Sequence, residues 1–417
     1  MRLKFGFGDG VETVEAPDDN VLGILAPNAM KLGKTGTDAV AEALRYPVDS
    51  PPLREIVRPG EKVAVVTSDA TRPMPTYQVM PAILDELYAG GVKPEDITLV
   101  FGLGVHRRQT EAEIKKLAGD RAFREIRCVD SDPDDCVHFG VTARGTPVDF
   151  TRAVAEADRR VCLGNIEYHY FAGYSGGAKA LMPGVSTRAA IQRNHSLMVN
   201  PDACAGKLAG NPLREDIEEA ARMVGIDFIL NVVLDEHKRI VCAVAGDPVK
   251  AHRAGCRFLD QFYLKAIPER ADIVLVSQGG SPKDLNLYQT QKALDNAKHA
   301  VKKGGVVILI GSCREGLGEE TFEAWMTQSP SPESMIERIQ RDFCLGGHKA
   351  AAIAMVLQDA DIYLVSDLAD DFVRKIFLTP YPSAQAALDA ALQKLGPDAT
   401  ILAMPYGGST LPKAAKS

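Results

Sequence analysis

Short runs of aliphatic and β-branched residues recur along this chain, and each run ends in a cluster of glycine and polar residues. In the first half they occupy residues 63–66, 97–101 and 161–164. Apolar runs of this length are typical of strands buried on both faces of a sheet. An amphipathic segment with apolar Val79 and Ile83 separates the first two runs and stops at two glycines, as a helix does. Strands that alternate with helices predict a mostly parallel sheet covered by helices.

The second half of the chain repeats this alternation, which indicates a second domain. Comparable apolar runs occupy residues 272–276, 306–310, 362–365 and 401–404. A chain of 417 residues also exceeds what one hydrophobic core usually organises. We therefore predict an α/β fold of two domains, each a mostly parallel sheet with flanking helices, and an active site in the cleft between them.

We place the domain boundary near residue 266, after a helical segment. The predicted N-terminal domain, residues 1–266, opens on a hairpin formed by residues 3–7 and 11–14 around an Asp-Gly turn. The predicted C-terminal domain, residues 267–417, is expected to close over the site. Its last residues are candidates for packing back on the first domain.

The composition argues against several classes of function. The net charge is −7 and basic residues form no long run, which disfavours general nucleic-acid binding. No apolar stretch approaches the roughly 20 residues that span a bilayer. The N-terminal segment, residues 1–8, is too short and too glycine-rich to be a signal peptide. The eight cysteines form no Cys-x-x-Cys pair, so neither a zinc ribbon nor a redox dithiol is indicated. We expect a cytoplasmic protein with reduced thiols.

A glycine-rich stretch follows the run at residues 161–164 and carries His169 and Lys179, and His195 comes shortly after it. An imidazole can act as a general base or a metal ligand, and a lysine can anchor a group covalently. Glycines such as Gly176 let the backbone approach a bulky ligand closely. A hydrophobic core does not account for this stretch, because Gly, Ser and Lys bury little apolar area.

Three interpretations of Lys179 are considered. The segment resembles a phosphate-binding P-loop but fails its pattern, because Ala178 precedes the lysine and Ala180 replaces the Ser or Thr that holds Mg²⁺. A Schiff-base lysine for pyridoxal phosphate remains open. The third alternative is that Lys179 has no function beyond solvating its loop. His195, taken alone, would likewise be interpreted as an ordinary helix histidine.

Polar side chains also follow the first two predicted strands. Asp69 and Arg72 come after residues 63–66, and His106 follows residues 97–101. In open α/β sheets ligands bind at the carboxyl ends of strands, so these side chains and His169 could converge on one site. Arg72 would bind a carboxylate or phosphate bidentately. The alternatives are that this turn only caps a helix and that His106 is a surface residue.

A predicted helix in the second half begins near Tyr288 and carries Gln289 and Lys292, which are three residues apart and share a face. This pair is either a solvated helix face or a polar pair that reaches a substrate from the second domain. The remaining histidines are interpreted as structural or surface residues: His138, His237, His252, His299 and His348.

These motifs occur in one order along the chain: SDATRP at 68–73, GVHR at 104–107, His169 with GYSGGAK at 173–179, NH at 194–195, and YQTQK at 288–292. Together they resemble the nickel-pincer-dependent lactate racemases and their relatives. The resemblance runs through most of the chain and has no departure at these positions.

The resemblance implies a cofactor, a nickel-bearing pyridinium mononucleotide with thioamide and thiocarboxylate arms, bound covalently through Lys179 and completed by His195 as metal ligand. It implies that His106 and His169 are two general bases. It further implies a set of residues that hold substrate and cofactor: Asp69, Arg72, Gly176, Gly177, Tyr288, Gln289 and Lys292.

The implied activity is racemisation or epimerisation of a small 2-hydroxy acid by proton-coupled hydride transfer through a 2-keto acid. Enzymes that make and insert the cofactor are the implied partners. Two alternatives stay open, a pyridoxal-phosphate enzyme that uses Lys179 and a non-catalytic carrier of the nickel cofactor. A carrier needs only Lys179 and His195, so the presence of both His106 and His169 disfavours it. The substrate, which could be lactate, malate or a larger hydroxy acid, and the oligomeric state are not determined by the sequence.

Overall fold

The computed structural model describes residues 1–29, 32–235 and 237–414. Its strands are, in chain order, β1 (Arg2–Phe7), β2 (Gly10–Glu15), β3 (Val21–Ile24), β4 (Val63–Ser68), β5 (Ile97–Gly102), β6 (Arg127–Asp130), β7 (Cys136–Val141), β8 (Pro147–Thr151), β9 (Arg159–Asn165), β10 (Tyr168–His169), β11 (Gly173–Tyr174), β12 (Phe228–Leu234), β13 (Ile240–Gly246), β14 (Leu264–Ile267), β15 (Ala271–Ser277), β16 (Val301–Ile310), β17 (Ala360–Val365), β18 (Thr379–Tyr381), β19 (Ile401–Met404) and β20 (Leu411–Ala414).

The α-helices are, in the same order, α1 (Gly36–Arg45), α2 (Leu53–Ile56), α3 (Thr76–Ala89), α4 (Glu111–Ala118), α5 (Asp120–Glu125), α6 (Arg152–Ala155), α7 (Arg188–His195), α8 (Pro212–Val224), α9 (Lys250–Tyr263), α10 (Leu287–Ala297), α11 (Glu320–Gln328), α12 (Pro332–Arg341), α13 (Gly347–Leu357), α14 (Asp370–Lys375) and α15 (Ala384–Leu395). Across the described ranges, no helix has the length and apolar character needed to cross a membrane.

The chain forms two compact units, one from residues 30–260 and one from residues 1–29 together with 261–417, within the described ranges. The structure therefore differs from the predicted boundary, because the first 29 residues belong to the C-terminal unit. Strand β3 pairs in parallel with β19, and the hairpin β1–β2 supplies apolar side chains to the same core. The final strand β20 pairs with β14, inside its own unit.

The N-terminal unit contains a six-stranded sheet of order β13-β12-β9-β4-β5-β6. Its strands are parallel except β13, which runs antiparallel to β12. The predicted strands at residues 63–66, 97–101 and 161–164 are confirmed as β4, β5 and β9, and the predicted helix between the first two is α3. A capping box at Thr110 begins α4. Apolar side chains of α1, α3 and the sheet form the core that holds β4, β5 and β9 in place.

The C-terminal unit contains a second six-stranded sheet, of order β18-β17-β16-β15-β19-β3, in which every pair is parallel. The predicted hairpin is confirmed by the antiparallel pairing of β1 with β2. Both units therefore have the predicted architecture, a mostly parallel sheet with flanking helices.

Candidate active site

An open pocket lies at the carboxyl edge of the N-terminal sheet. Strands β4, β5 and β9 end at Ser68, Gly102 and Asn165, and all three residues line it. The lining also includes the four side chains that were expected to share one site, Asp69, Arg72, His106 and His169, together with Lys179. The predicted convergence at the strand ends is therefore confirmed, because parallel strands bring their final residues to one edge.

His106 is held by a buried carboxylate. Its Nδ1 donates to Asp69 Oδ2 over 2.7 Å, and Thr71 Oγ1 donates to the other carboxylate oxygen over 2.7 Å. Burial alone would raise the pKa of the Asp69 carboxyl, but the hydrogen bonds from His106 and Thr71 outweigh it and hold this pKa below its usual range. Asp69 is therefore ionised at neutral pH, and neutral His106 carries its proton on Nδ1 and a lone pair on Nε2.

His169 is held in the opposite tautomer. It lies at the end of β10, and its Nδ1 accepts from the Ala172 backbone N–H over 3.3 Å. A nitrogen that accepts an N–H bond carries no proton, so the proton of neutral His169 is on Nε2. The pocket thus holds one imidazole with Nε2 as acceptor and a second with Nε2 as donor.

Lys179 lies in a single 3₁₀ turn, Gly177–Ala180, with its half-buried side chain in the pocket. Withdrawal from water and the positive charges of Arg72 and Arg214 hold the pKa of its amine well below the ordinary value. Its Nζ is 5.7 Å from the ring centre of Phe171. The surroundings thus favour the neutral amine, which is the nucleophilic form.

The turn that carries Lys179 requires glycine at two positions. Gly176 and Gly177 have φ of +75° and +58°, in the left-handed region. A Cβ on Gly176 would be 2.7 Å from Asn231 Oδ1, and a Cβ on Gly177 would be 2.9 Å from the His252 ring. The backbone of this turn is therefore packed directly against two buried polar side chains.

The lowered pKa of Lys179 gives a testable reactivity. Because the amine becomes neutral at lower pH than an ordinary lysine, whose pKa is about 10.4, acetic anhydride should label it at lower pH. Lys62 is the matched control, since its hydrogen bond to Asp96 raises its pKa. Mass spectrometry of labelled peptides across a pH series measures both. The Arg72→Met variant should move the Lys179 profile to higher pH, and equal profiles for Lys179 and Lys62 would contradict the assignment.

His195 ends α7 and is buried, with 7% of its surface exposed. Its Nδ1 is 3.1 Å from Asn194 Oδ1, and its ring packs edge-on against Phe171 at 5.0 Å. Phe171 also packs against the His169 ring at 4.4 Å between ring centres, so one phenyl ring lies next to both histidines and within 5.7 Å of Lys179 Nζ. Phe171 was missed by the sequence interpretation, because a single aromatic residue is indistinguishable from a core residue.

Buried polar residues behind the Lys179 turn were also missed by the sequence interpretation. Arg214, which is 1% exposed, donates to the Tyr174 and Gly176 carbonyls and pairs with Glu218. His252, interpreted as structural, donates from Nε2 to the Ser175 carbonyl over 2.8 Å. Isolated charged residues on helices carry no signal of burial, and only the fold reveals their contact with the turn.

Two arginines considered for a second substrate carboxylate are engaged elsewhere. Arg107 pairs with Glu113 and Arg108 pairs with Asp132, and both arginines are solvent-exposed. In the part of the chain that the structure describes, neither is among the residues lining the pocket.

The C-terminal unit holds the three other predicted site residues on α10. Asn286 caps this helix by accepting from the Gln289 backbone N–H over 3.0 Å, and Tyr288 and Lys292 lie in its first two turns. Lys349 of α13 donates to the Tyr288 carbonyl, and its Nζ is 3.7 Å from the Tyr288 ring centre. Burial and the charge of Lys292 lower the pKa of Lys349 to about 7. Lys349 was missed, although two glycines precede its His-Lys pair, as glycines precede Lys179.

The chain matches known protein families and proteins over nearly its whole length. Residues 7–206 match the lactate racemase N-terminal domain family, and residues 266–411 match the lactate racemase C-terminal domain family. The lactate racemase of Thermoanaerobacterium thermosaccharolyticum is 32% identical over 423 residues, which cover 98% of this chain and 99% of that protein. The lactate racemase of Lactiplantibacillus plantarum is 31% identical over 411 residues, 95% of this chain and 96% of that protein.

Solved structures agree with the sequence matches. The apoprotein of the T. thermosaccharolyticum lactate racemase superposes with a TM-score of 0.87 at 31% identity, covering 99% of this chain and all of that one. A Thermotoga maritima protein with 18% identity and a TM-score of 0.62 shares the fold. The chain belongs to the lactate racemase family, and it is an isomerase of the racemase type.

Proposed function

We propose that this protein racemises a small 2-hydroxy acid with one carboxylate, of the size of lactate, through a 2-keto acid. The observation that carries the proposal is the pair of imidazoles in one pocket, His106 and His169, held in opposite tautomers beside Arg72 and Lys179. Racemisation at C2 presents the hydroxyl on either side of the carbon, and two imidazoles can serve the two sides.

Arg72 binds the substrate carboxylate in this account, because its guanidinium matches a carboxylate bidentately. His106 accepts the hydroxyl proton of one enantiomer at Nε2. Asp69 holds the ring by its Nδ1–H and stabilises the imidazolium that forms, so we assign Asp69 to orienting His106 rather than to binding cofactor. His169 serves the other side of C2 in this account. With its proton moved to Nδ1, its Nε2 accepts the hydroxyl proton of the other enantiomer, and the imidazolium so formed returns a proton to the oxygen on that side.

The residues at and next to the pocket fit the nickel-pincer nucleotide that family resemblance suggests. Lys179 and Gly176 line the pocket, whereas the buried His195 and Gly177 are not among its described lining residues. Lys179 would form the covalent link as a neutral amine, and His195 would coordinate nickel through Nε2, since its Nδ1–H faces Asn194. Gly176 and Gly177 let the backbone approach the bound group. When bound, the cofactor would supply a reversible hydride acceptor for the C2 hydrogen.

Three residues of α10 complete the proposal. Tyr288 would contact the cofactor, while Gln289 and Lys292 would hold the substrate and polarise its oxygen, as the resemblance implies. Cofactor-making and cofactor-inserting enzymes are the proposed partners, because a covalent nickel nucleotide must be supplied from outside the chain.

A panel of chiral 2-hydroxy acids tests the proposed substrate class. Protein produced together with the cofactor-making enzymes should racemise lactate and similar monocarboxylates, with malate much slower, because Arg107 and Arg108 are paired outside the pocket. Chiral chromatography measures the approach to a racemic mixture, and metal analysis with visible absorbance separates a nickel enzyme from a pyridoxal-phosphate enzyme. If nickel-loaded protein racemises none of the acids in the panel, the proposal is wrong.

A further inference from the structure

Behind His195 lies a buried carboxylate that the account above does not use. Asp216 of α8 is fully buried, and its oxygens accept three hydrogen bonds, all from uncharged donors. Thr142 Oγ1 donates to one oxygen, and Thr146 Oγ1 and Asn194 Nδ2 donate to the other over 2.6 and 2.7 Å. Both threonines lie in the turn between β7 and β8, so three segments of the N-terminal unit meet at this carboxylate.

The direction of these bonds fixes the orientation of Asn194. Its Nδ2 donates to Asp216 Oδ2 and to the Leu213 carbonyl, the latter over 3.2 Å. Both partners can only accept, so the amide nitrogen must face them and the amide oxygen must face His195.

The orientation of Asn194 in turn fixes the tautomer of His195. An amide oxygen only accepts, so His195 Nδ1, 3.1 Å from Asn194 Oδ1, is the nitrogen that carries the proton. In the neutral ring the lone pair is then on Nε2. Metal-binding histidines are commonly oriented in this way, with the second ring N–H donated to a fixed oxygen.

We propose that Asp216 is a positioning residue that, through Asn194, holds His195 in the tautomer whose lone pair is on Nε2, the nitrogen that would coordinate nickel. The metal part rests on the proposed function, in which His195 is the ligand. Each hydrogen bond in this series has a defined donor. Two threonine hydroxyls and the Asn194 amide N–H donate to the Asp216 carboxylate, and His195 Nδ1–H donates to the Asn194 amide oxygen.

The Asp216→Asn variant tests this chain of bonds, because it keeps the side-chain shape and replaces one acceptor oxygen with an N–H donor. The new donor competes with Asn194 Nδ2, so the Asn194 amide should turn in part of the molecules and present its N–H to His195 Nδ1. The His195 population should then shift toward the tautomer with the proton on Nε2. Glu219→Gln is the matched control, since it neutralises a carboxylate of the same helix that accepts from the Ala143 N–H.

Two measurements decide the proposal. Nitrogen NMR of ¹⁵N-histidine apoprotein, with His195 assigned from a His195→Gln variant, should show the proton on Nδ1 in the wild type and in Glu219→Gln, and a shift toward Nε2 in Asp216→Asn. Nickel release from cofactor-loaded protein into a chelator should be about 10–100-fold faster in Asp216→Asn than in either of the others.

The outcomes separate this proposal from the proposed function. A proton on Nε2 of His195 in the wild-type apoprotein overturns the role of Asp216, whether or not Asp216→Asn folds. An unchanged tautomer in a folded Asp216→Asn variant does the same. If the tautomers behave as expected but the wild type takes up no nickel, the proposed function fails while the control of His195 by Asp216 stands.

Discussion

The His106→Ala and His169→Ala variants should each lose racemisation by about 10²–10⁴-fold, and each should still form keto acid from one enantiomer, a different one in each variant. Every complete turnover uses both imidazoles, because the oxygen loses its proton on one side and regains it on the other. Removal of either imidazole therefore blocks inversion in both directions. The first half of the reaction survives for the enantiomer whose hydroxyl faces the remaining histidine.

Rapid-quench detection of keto acid with each pure enantiomer measures this. His138→Ala is the matched control, because His138 also donates from Nδ1 to an aspartate, Asp149 over 2.6 Å, but is exposed on β7 and absent from the pocket lining. The control should keep full racemisation. A burst with the same enantiomer in both variants, or unchanged racemisation in either, would rule out a two-base mechanism here.

The Asp69→Asn variant should slow one half-reaction and leave the other nearly unchanged. An amide in place of the carboxylate can no longer stabilise the imidazolium of His106, so the burst that depends on His106 should slow while the burst that depends on His169 is little changed. Equal slowing of both bursts would mean that Asp69 acts on the cofactor or substrate and not through His106.

The Lys179→Ala variant should carry no covalent cofactor and have no racemase activity. The amine is the proposed point of attachment, and burial and the neighbouring positive charges lower its pKa, which favours the neutral form. The fold should survive, since the Lys179 side chain lies half-buried in an open pocket and fills no core. Intact-mass spectrometry of protein made with the cofactor-making enzymes detects the adduct.

Lys207→Ala provides the control for this experiment. Lys207 belongs to the same unit and pairs with Asp202 near the surface, so its loss should leave both adduct and activity in place. The same added mass in Lys179→Ala as in the wild type would mean that another residue carries the cofactor.

The strands and the pocket were predictable because they depend on local patterns. Apolar runs predicted β4, β5 and β9, and a general property of parallel sheets then brought Asp69, Arg72 and His106 together. Residue order and type were enough, since the carboxyl ends of such strands always share an edge.

The remaining features depend on contacts between distant segments. Residues 1–29 join the C-terminal unit through the pairing of β3 with β19, and nothing local in residues 21–24 indicates that partner. The tautomers of His106 and His195 depend on Asp69 and on Asn194 with Asp216, and the direction of a hydrogen bond is not written in residue spacing. Arg214 illustrates the same limit, because its burial depends on carbonyls of the Lys179 turn.

Racemisation of lactate deuterated at C2 tests the central claim most directly. Cofactor-loaded protein would be incubated with the labelled L enantiomer in ordinary water, and the D product would be isolated by chiral chromatography and weighed by mass spectrometry. If the C2 hydrogen leaves and returns as hydride while His106 and His169 handle only the oxygen proton, the D product keeps its deuterium. Loss of the deuterium to solvent would show that a histidine removes the C2 hydrogen as a proton, which would contradict the account.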